Sequence, residues 1–231
     1  MEKQDQHVIC GTERALAQAN AIGYAANSVH LVSGMILRPP FYEKPSIDRH
    51  AERLKLGLDP NRPTGLVLFG GHGSMHMVSI ARRLQEARCG LQLILICGRN
   101  ERLARELGKI QARVPMHIIG FTQDVPLYMA LSDFFIGKPG PGSISEAIEM
   151  GLPVIIERNA WTLPQERYNA EWVQEKQVGV VVRNFTEIAD AADRLLAEPA
   201  FSELRSNAAA IRNRAVFEIA DILDRIMDQG G

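Results

Sequence analysis

Short apolar runs alternate with longer amphipathic stretches over most of this chain. The stretches between the runs have the periodicity of helices, and the runs are rich in branched and aromatic residues, which is typical of buried strands. Strands that alternate with helices in this way predict an α/β protein with a Rossmann-like parallel sheet of six strands and helices on both faces. The predicted strands lie at 65–69, 91–97, 116–119, 134–136, 154–156 and 179–182.

The segment 133–155, DFFIGKPGPGSISEAIEMGLPVI, predicts a strand, a glycine–proline loop, a helix and a further strand. Ser143 and Glu146 have the spacing of a capping box, so we expect the helix to begin at Ser143. A glycine-rich turn that leads into a helix directs free N–H groups and the positive end of the helix dipole at one point, which suits an anion. An ordinary connection between a strand and a helix is the alternative, and the glycines alone do not decide between them.

Ligands of parallel α/β sheets bind beyond the carboxyl ends of the strands, so the loops that follow the strands are where we expect the site. The loop GGHGSM at 70–75 has glycines that allow a phosphate to approach the backbone. It is not a P-loop, and it does not match the G-x-G-x-x-G fingerprint of dinucleotide-binding proteins. The strand at 91–97 ends in Cys97-Gly98-Arg99, without the acidic residue that holds a ribose, so an NAD(P)-dependent enzyme is the weaker interpretation.

The composition excludes several classes of function. The formal net charge of −1 gives no field that would attract nucleic acid. The three cysteines have no metal-ligand spacing, and no serine-hydrolase or zinc-protease motif occurs in the sequence. No apolar run is long enough to span a membrane, and the first residues lack the apolar core of a signal peptide. We therefore expect a cytoplasmic protein.

Residues 1–44 predict a strand, a helix and a second strand, followed by a proline-rich linker. Such a fragment is too small to bury both faces of its own strands. We expect the apolar residues of the linker to be exposed and prone to association. We also expect the last helix, at 215–227, to pack back across a cleft. The linker residues concerned are Met35, Ile36, Leu37, Phe41 and Tyr42.

These motifs resemble the C-terminal domain of the family 28 glycosyltransferases, which have the GT-B fold, with the monogalactosyldiacylglycerol synthases as the nearest likeness. The matching pieces span about residues 62–185 and are GGHGSM, ICGRNERLA, IIGFTQDV, SDFFIGKPGPGSISEAIEMGLPVI and PQERYNAEWV. The resemblance implies that 45–231 is a nucleotide-sugar donor-binding domain that includes the C-terminal helices. It implies that 1–44 is a remnant of the N-terminal acceptor domain together with the interdomain linker.

The resemblance further implies a site for a UDP-sugar, with no cofactor and no metal. Fixed amides and a helix dipole would stabilise the charge on the departing nucleoside diphosphate. The implied residues are Gly70, Gly71 and Gly73 beside the diphosphate, Arg99 in the nucleotide pocket, Phe121 on the uracil with the Thr122 backbone at its edge, the amides of Gly142, Ser143 and Ile144 on the diphosphate, Glu146 on the ribose, and Gln165 and Glu166 on the sugar.

The implied activity is that of a hexosyltransferase in glycolipid biosynthesis, which transfers the sugar to a lipid acceptor such as diacylglycerol. Because the family's acceptor domain carries the catalytic base, we expect this chain to be inactive alone and to self-associate or to pair with an acceptor-binding protein. Two alternatives are a non-catalytic nucleotide-sugar-binding module and one subunit of a split glycosyltransferase. A peripheral position at the inner face of a membrane is the alternative to a purely cytoplasmic location.

Overall fold

The computed structural model describes residues 6–43 and 45–229. The strands are β1 (Val8–Cys10), β2 (Val29–Leu31), β3 (Thr64–Leu68), β4 (Gln92–Ile96), β5 (Met116–Ile119), β6 (Phe134–Gly137), β7 (Val154–Glu157) and β8 (Gly179–Val182). The α-helices are α1 (Glu13–Ile22), α2 (Pro39–Tyr42), α3 (Arg49–Lys55), α4 (His76–Leu84), α5 (Glu101–Gly108), α6 (Val125–Ala130), α7 (Pro141–Glu149), α8 (Pro164–Glu175), α9 (Ile188–Leu195), α10 (Ala200–Ala210) and α11 (Ala215–Gln229). No helix in these described ranges combines the length and the apolar character needed to cross a membrane.

The chain divides into two compact units, of which the larger is Pro39–Ile211. Its described residues form a parallel sheet of six strands in the order β5-β4-β3-β6-β7-β8. Strand β3 is central, since Val67 pairs with Leu95 of β4 on one side and with Ile136 of β6 on the other. The predicted α/β fold with a parallel sheet of six strands is confirmed.

Both faces of this sheet are apolar, because every residue of β3 and β4 is buried. Helices α4, α5 and α9 contribute to a single core with alternate residues of β3 and β4. Helices α7 and α8 belong to crossovers that run in the opposite direction from β6, and right-handed connections place them on the other face. The helices on the two faces therefore bury strands that could not face water.

The smaller unit comprises Met1–Arg38 and Arg212–Gly231. Its strands β1 and β2 pair in parallel, with Ile9 opposite His30. Helix α1 begins at its cap Thr12 and packs through Ala19 against Cys10, and α11 packs through Ile222 against Val32. The described part of this unit is thus a strand pair between two helices.

The contacts group α11 with the amino-terminal residues, whereas the predicted division assigned it to the domain at 45–231. Glu218 of α11 accepts a hydrogen bond from the Ser33 amide at 2.6 Å, and the Arg214 amide donates to the Ser33 hydroxyl at 2.7 Å. The evolutionary origin of the segments stays a prediction. The expected exposure holds for Met35 and Ile36, but it is wrong for other linker residues. Leu37 and Phe41 are buried.

A buried ion cluster joins α3 to the amino ends of β3 and β6. The Asp133 carboxylate accepts hydrogen bonds from Arg53 at 2.7 Å, from Arg49 at 2.8 Å and from the Thr64 amide at 2.8 Å. Arg53 also donates to the carbonyls of Leu131, Pro60 and Arg62. Burial lowers the pKa of Arg53 and the Asp133 carboxylate opposes that shift most strongly, so the guanidinium depends mainly on this partner for charge compensation.

We predict that Asp133→Asn lowers the free energy of unfolding by about 3–5 kcal/mol, because it leaves a buried guanidinium without a counter-charge. Urea unfolding followed by circular dichroism measures the loss. The matched control is Glu101→Gln, which removes an ion pair to Arg105 whose side chains are 89% and 68% exposed and should cost about 0–1 kcal/mol. Equal losses in the two variants would contradict a structural role for the cluster.

Candidate functional site

The direction of the crossovers reverses between β3 and β6, which are neighbours in the sheet. From β3 the chain proceeds outward through β4 and β5, and it then returns to place β6 on the other side of β3. In parallel α/β sheets the crevice at such a reversal, beyond the carboxyl ends of the strands, is where ligands bind. The loops that follow β3 and β6 contain 70–75 and 138–143, so the predicted site residues of these loops flank the reversal.

The loops after β3 and β4 are in close backbone contact, and glycines make this contact possible. The Gly71 carbonyl accepts a hydrogen bond from the Arg99 amide at 3.1 Å. Gly98 has a φ of +60°, and a Cβ atom there would collide with the Gly71 carbonyl oxygen. Gly73 has a φ of +59°, and a Cβ atom there would collide with the Cys97 carbonyl oxygen. At Gly70 and Gly71 themselves a Cβ atom would meet nothing within 4 Å, so these two glycines border open space.

The loops after β4 and β5 bring two predicted residues together. The Arg99 guanidinium lies over the Phe121 ring, 4.8 Å from its centroid. Phe121 is 52% exposed, so one part of the ring remains available to a flat ligand. The Thr122 hydroxyl accepts from the Asp124 amide at 3.0 Å, which fixes the turn behind the ring. An aromatic face backed by a cation is suited to stacking with a nucleobase.

Helix α7 begins three residues earlier than predicted, since its cap is Gly140 and not Ser143. Its first residue is Pro141, so the predicted capping box of Ser143 and Glu146 is wrong. Proline is favoured at the first helical position because it has no N–H to satisfy there. Glu146 therefore lies within the helix, beyond its first turn.

The earlier start of the helix changes which backbone amides lack a hydrogen-bond acceptor within it. The second and third residues of a helix, here Gly142 and Ser143, have no carbonyl four residues back within the helix. The Ile144 amide, in contrast, donates to the Gly140 carbonyl at 3.2 Å. The geometry favours Gly142 and Ser143 as donors to an anion, while the predicted role of Ile144 competes with a helical hydrogen bond.

The first turn of α8 packs beside the cap of α7. Glu166 Oε1 lies 4.0 Å from the Lys138 ammonium, and its side chain is 15% exposed. Asn169 donates to the Pro139 carbonyl at 2.7 Å, which fixes α8 against the loop. Gln165 is exposed at the start of the same helix. Lys138 is absent from the predicted site residues, although a cation directly after a buried strand was a signal for it.

The site contains no activated thiol. Burial raises the pKa of Cys97, at the end of β4, to about 11, so this sulfur stays protonated at neutral pH. Within residues 6–43 and 45–229, no group of three or more histidine, cysteine, aspartate and glutamate side chains is placed to hold a metal ion. The His72 side chain is exposed in the loop after β3.

The smaller unit has a pair of stacked histidines. His7 Nδ1 and His30 Nε2 are 3.0 Å apart, and the two rings are inclined by 21°. Burial lowers the pKa of His30, and the neighbouring His7 and Arg225 lower it further. His30 is therefore neutral at pH 7 and is able to accept a proton.

A family model decides the classification. The model of the glycosyltransferase family 28 C-terminal domain matches residues 66–226. The chain belongs to this family. The monogalactosyldiacylglycerol synthase of spinach, Spinacia oleracea, is 32% identical to it in an alignment that covers 95% of this chain and 43% of the relative. The chain thus spans less than half the length of this curated relative.

Solved structures share the fold at low sequence identity. HepE of Anabaena, determined in complex with UDP-glucose, superposes with a TM-score of 0.65 at 18% identity, over 96% of this chain and 64% of that one. UDP-GlcNAc 2-epimerase of Neisseria meningitidis, bound to UDP-GlcNAc, has a TM-score of 0.68 at 17% identity, over 95% of this chain and 61% of that one. These similarities establish the fold and not the reaction.

We predict that Gly98→Ala destabilises the protein more than Gly57→Ala. Both glycines have positive φ, at +60° and +72°, and this alone costs an alanine roughly 1–2 kcal/mol. A Cβ atom at Gly57 meets nothing within 4 Å, whereas one at Gly98 collides with the neighbouring loop and should add about 1–3 kcal/mol. Urea unfolding of the two variants gives the comparison, and equal losses would contradict the loop contact.

Proposed function

We propose that this chain binds a UDP-sugar and serves as the donor-binding half of a glycosyltransferase that acts on a lipid acceptor such as diacylglycerol. One observation carries the proposal most directly. The amides of Gly142 and Ser143, which have no acceptor within α7, lie beside the reversal of the sheet, and the Arg99–Phe121 pair follows the strands on its other side. Anion donors at one end and a stacking surface at the other match the two parts of a uridine diphosphate.

Each part of the ligand has a proposed partner. The uracil stacks on Phe121 with the Thr122 backbone at its edge, and Glu146 accepts hydrogen bonds from the ribose hydroxyls. The diphosphate lies against the start of α7 and the open backbone at Gly70 and Gly71. Glu166 and Gln165, on α8, accept or donate to the hydroxyls of the sugar. The Lys138 ammonium lies at the same end of the ligand.

Transfer of the sugar leaves negative charge on the departing UDP. The positive end of the α7 dipole and its fixed amides would stabilise that charge more strongly in the transition state than in the bound donor, which is the condition for faster reaction. Lys138 and Arg99 add positive charge from the loops. The proposal assigns this stabilisation to the protein's own groups, without a metal or a cofactor.

Transfer of the sugar to an acceptor requires groups that this donor site does not supply. The resemblance assigns the base and the lipid-binding surface to an acceptor domain, and a separate acceptor-binding protein or a second copy of this chain are the proposed partners. The strand pair β1–β2 supports the idea of a partner, because in the described residues it has no further strand, and parallel sheets this small are rarely stable alone. We place the protein in the cytoplasm, with peripheral contact to a membrane that supplies the acceptor.

We predict that UDP binds in isothermal titration calorimetry without a divalent metal and that Glu146→Gln weakens this binding by about 1–3 kcal/mol, the value of a hydrogen bond to a charged group. The matched control is Glu175→Gln, an exposed carboxylate at the end of α8, which should leave the affinity unchanged. Melting curves of both variants separate a loss of binding from a loss of folding.

Two outcomes would contradict the donor site. One is binding of NAD or ADP as tight as that of UDP, since the stacking surface and the Thr122 backbone are proposed to select uracil. The other is an unchanged UDP affinity in Glu146→Gln, which would remove the carboxylate from the ribose.

We predict that the purified chain alone transfers no sugar from UDP-galactose or UDP-glucose to diacylglycerol in mixed micelles. A base must lie within hydrogen-bond reach of the acceptor hydroxyl, and the described part of the smaller unit offers His7 and His30, which bond to each other instead. A radiolabelled transfer assay measures this, with a full-length relative as the positive control. Sustained transfer by a chain shown to be monomeric would overturn the prediction.

A further inference from the structure

The loop between β7 and α8 exposes large apolar side chains to solvent. Trp161 is 91% exposed, more than any other large apolar residue in the described part of the larger unit, and Leu163 is 51% exposed. A folded protein gains nothing from an indole in water, because burying such a side chain is favourable by roughly 1.5–3 kcal/mol. Because two such side chains stand on one short loop, and are not scattered singly, they favour a surface that meets a partner.

The loop is held in one conformation. The Asn159 carboxamide oxygen accepts from the Trp161 amide at 2.9 Å, and the Thr162 hydroxyl accepts from the Asn159 amide at 2.9 Å. The Arg167 guanidinium donates to the Thr162 carbonyl at 3.2 Å and to the Ala160 carbonyl at 3.4 Å. Trp161 is therefore presented outward by a built turn, and little conformational entropy remains to be lost when it binds.

A guanidinium contacts this loop, whereas the carboxylates that flank it in sequence face other groups: Glu157 accepts from the Phe185 amide, and Glu166 lies 4.0 Å from the Lys138 ammonium. The segment 158–165, RNAWTLPQ, contains an arginine and no carboxylate. Arg167 lies directly against the loop, since it bonds to the carbonyls on both sides of Trp161. Arg158 is 42% exposed and pairs with Glu171 at 2.8 Å, so its charge is partly compensated. An exposed indole and leucine with an adjacent guanidinium are chemically complementary to the apolar and phosphate layers of an anionic bilayer surface.

We propose that residues 158–163 form a membrane-contact loop, in which Trp161 and Leu163 enter the headgroup region of an anionic bilayer while Arg167 faces the lipid phosphates. Tryptophan favours this region because its ring is apolar at one end and donates a hydrogen bond at the other. The inference rests on the proposed peripheral membrane contact and names the residues that make it, and it requires neither UDP nor an acceptor molecule. It adds a lipid contact on the larger unit itself.

The contact should be weak and reversible. It consists of two apolar side chains and nearby cations. The apolar area of these two side chains is smaller than that of a single fatty-acyl anchor, and such an anchor alone gives only marginal binding. Binding should therefore increase with the fraction of anionic lipid and decrease with salt, because charge attraction supplies part of the free energy.

The test uses the fluorescence of Trp161. The sequence has two tryptophans, so Trp172→Phe leaves Trp161 as the sole emitter. Vesicles of phosphatidylglycerol and phosphatidylcholine should shift its emission to the blue and protect it from iodide, and pure phosphatidylcholine vesicles should do so less. In sedimentation with the same vesicles, Trp161→Ala in the natural chain should lower the partition coefficient by about tenfold, as loss of one buried large apolar side chain predicts.

The matched control is Leu54→Ala. Leu54 is 63% exposed on α3, whose neighbour Arg53 bonds to the amino ends of the strands, at the opposite edge of the sheet. This variant should bind vesicles as the natural chain does. An unchanged emission, or equal binding by Trp161→Ala, would overturn the membrane contact. A blue shift that grows with protein concentration in the absence of vesicles would overturn it in favour of a second copy.

The outcome is independent of the donor site. UDP titration of Trp161→Ala should give the affinity of the natural chain. If vesicles bind and UDP does not, the proposed function fails and the membrane contact stands. If UDP binds and the vesicles have no effect on the Trp161 emission, the membrane contact fails and the donor site stands.

Discussion

The six-stranded sheet must be covered on both faces, and the rest of the larger unit follows from this constraint. Every residue of β3 and β4 is buried, so neither face tolerates water. Parallel strands require a crossover between each pair, and right-handed crossovers that run outward in both directions from the centre cover opposite faces. The same connections bring all the loops after the strands to one edge. The location of the site is thus a consequence of how the core is buried.

At that edge, close backbone contact matters as much as side chains. Glycine-rich loops suggest a bound phosphate, yet Gly73 and Gly98 are required because the loops after β3 and β4 touch each other. Gly70 and Gly71 border open space and remain available to a ligand. One motif therefore contains glycines with two different physical roles. The contact between the loops also fixes Arg99 at the position from which it reaches the Phe121 ring.

Local sequence patterns predicted most of the helices and strands. The features that were not predicted depend on contacts between segments far apart in sequence. The strands Met116–Ile119 and Gly179–Val182 have the predicted bounds, since apolar runs between turn residues are a local signal. The start of α7 was missed because the S-x-x-E pattern lies inside this helix, and Pro141 was the better marker. The last helix was expected to pack back over the chain, but its contacts with β1 and the end of β2 join residues far apart in sequence, and no local pattern indicated these partners.

The fold alone leaves the reaction open, because an epimerase that binds a UDP-sugar shares it at 17% identity. Family membership supports the proposal of sugar transfer, and the side chains proposed to surround the sugar would then determine which group does what. Glu166 Oε1 lies 4.0 Å from the Lys138 ammonium, so this carboxylate already has a cationic partner. In the proposed site it orients a hydroxyl of the sugar, which is a different role from removing the proton of an acceptor. Sugar recognition and proton removal are therefore assigned to different groups, which is the physical reason to expect the base outside this donor site.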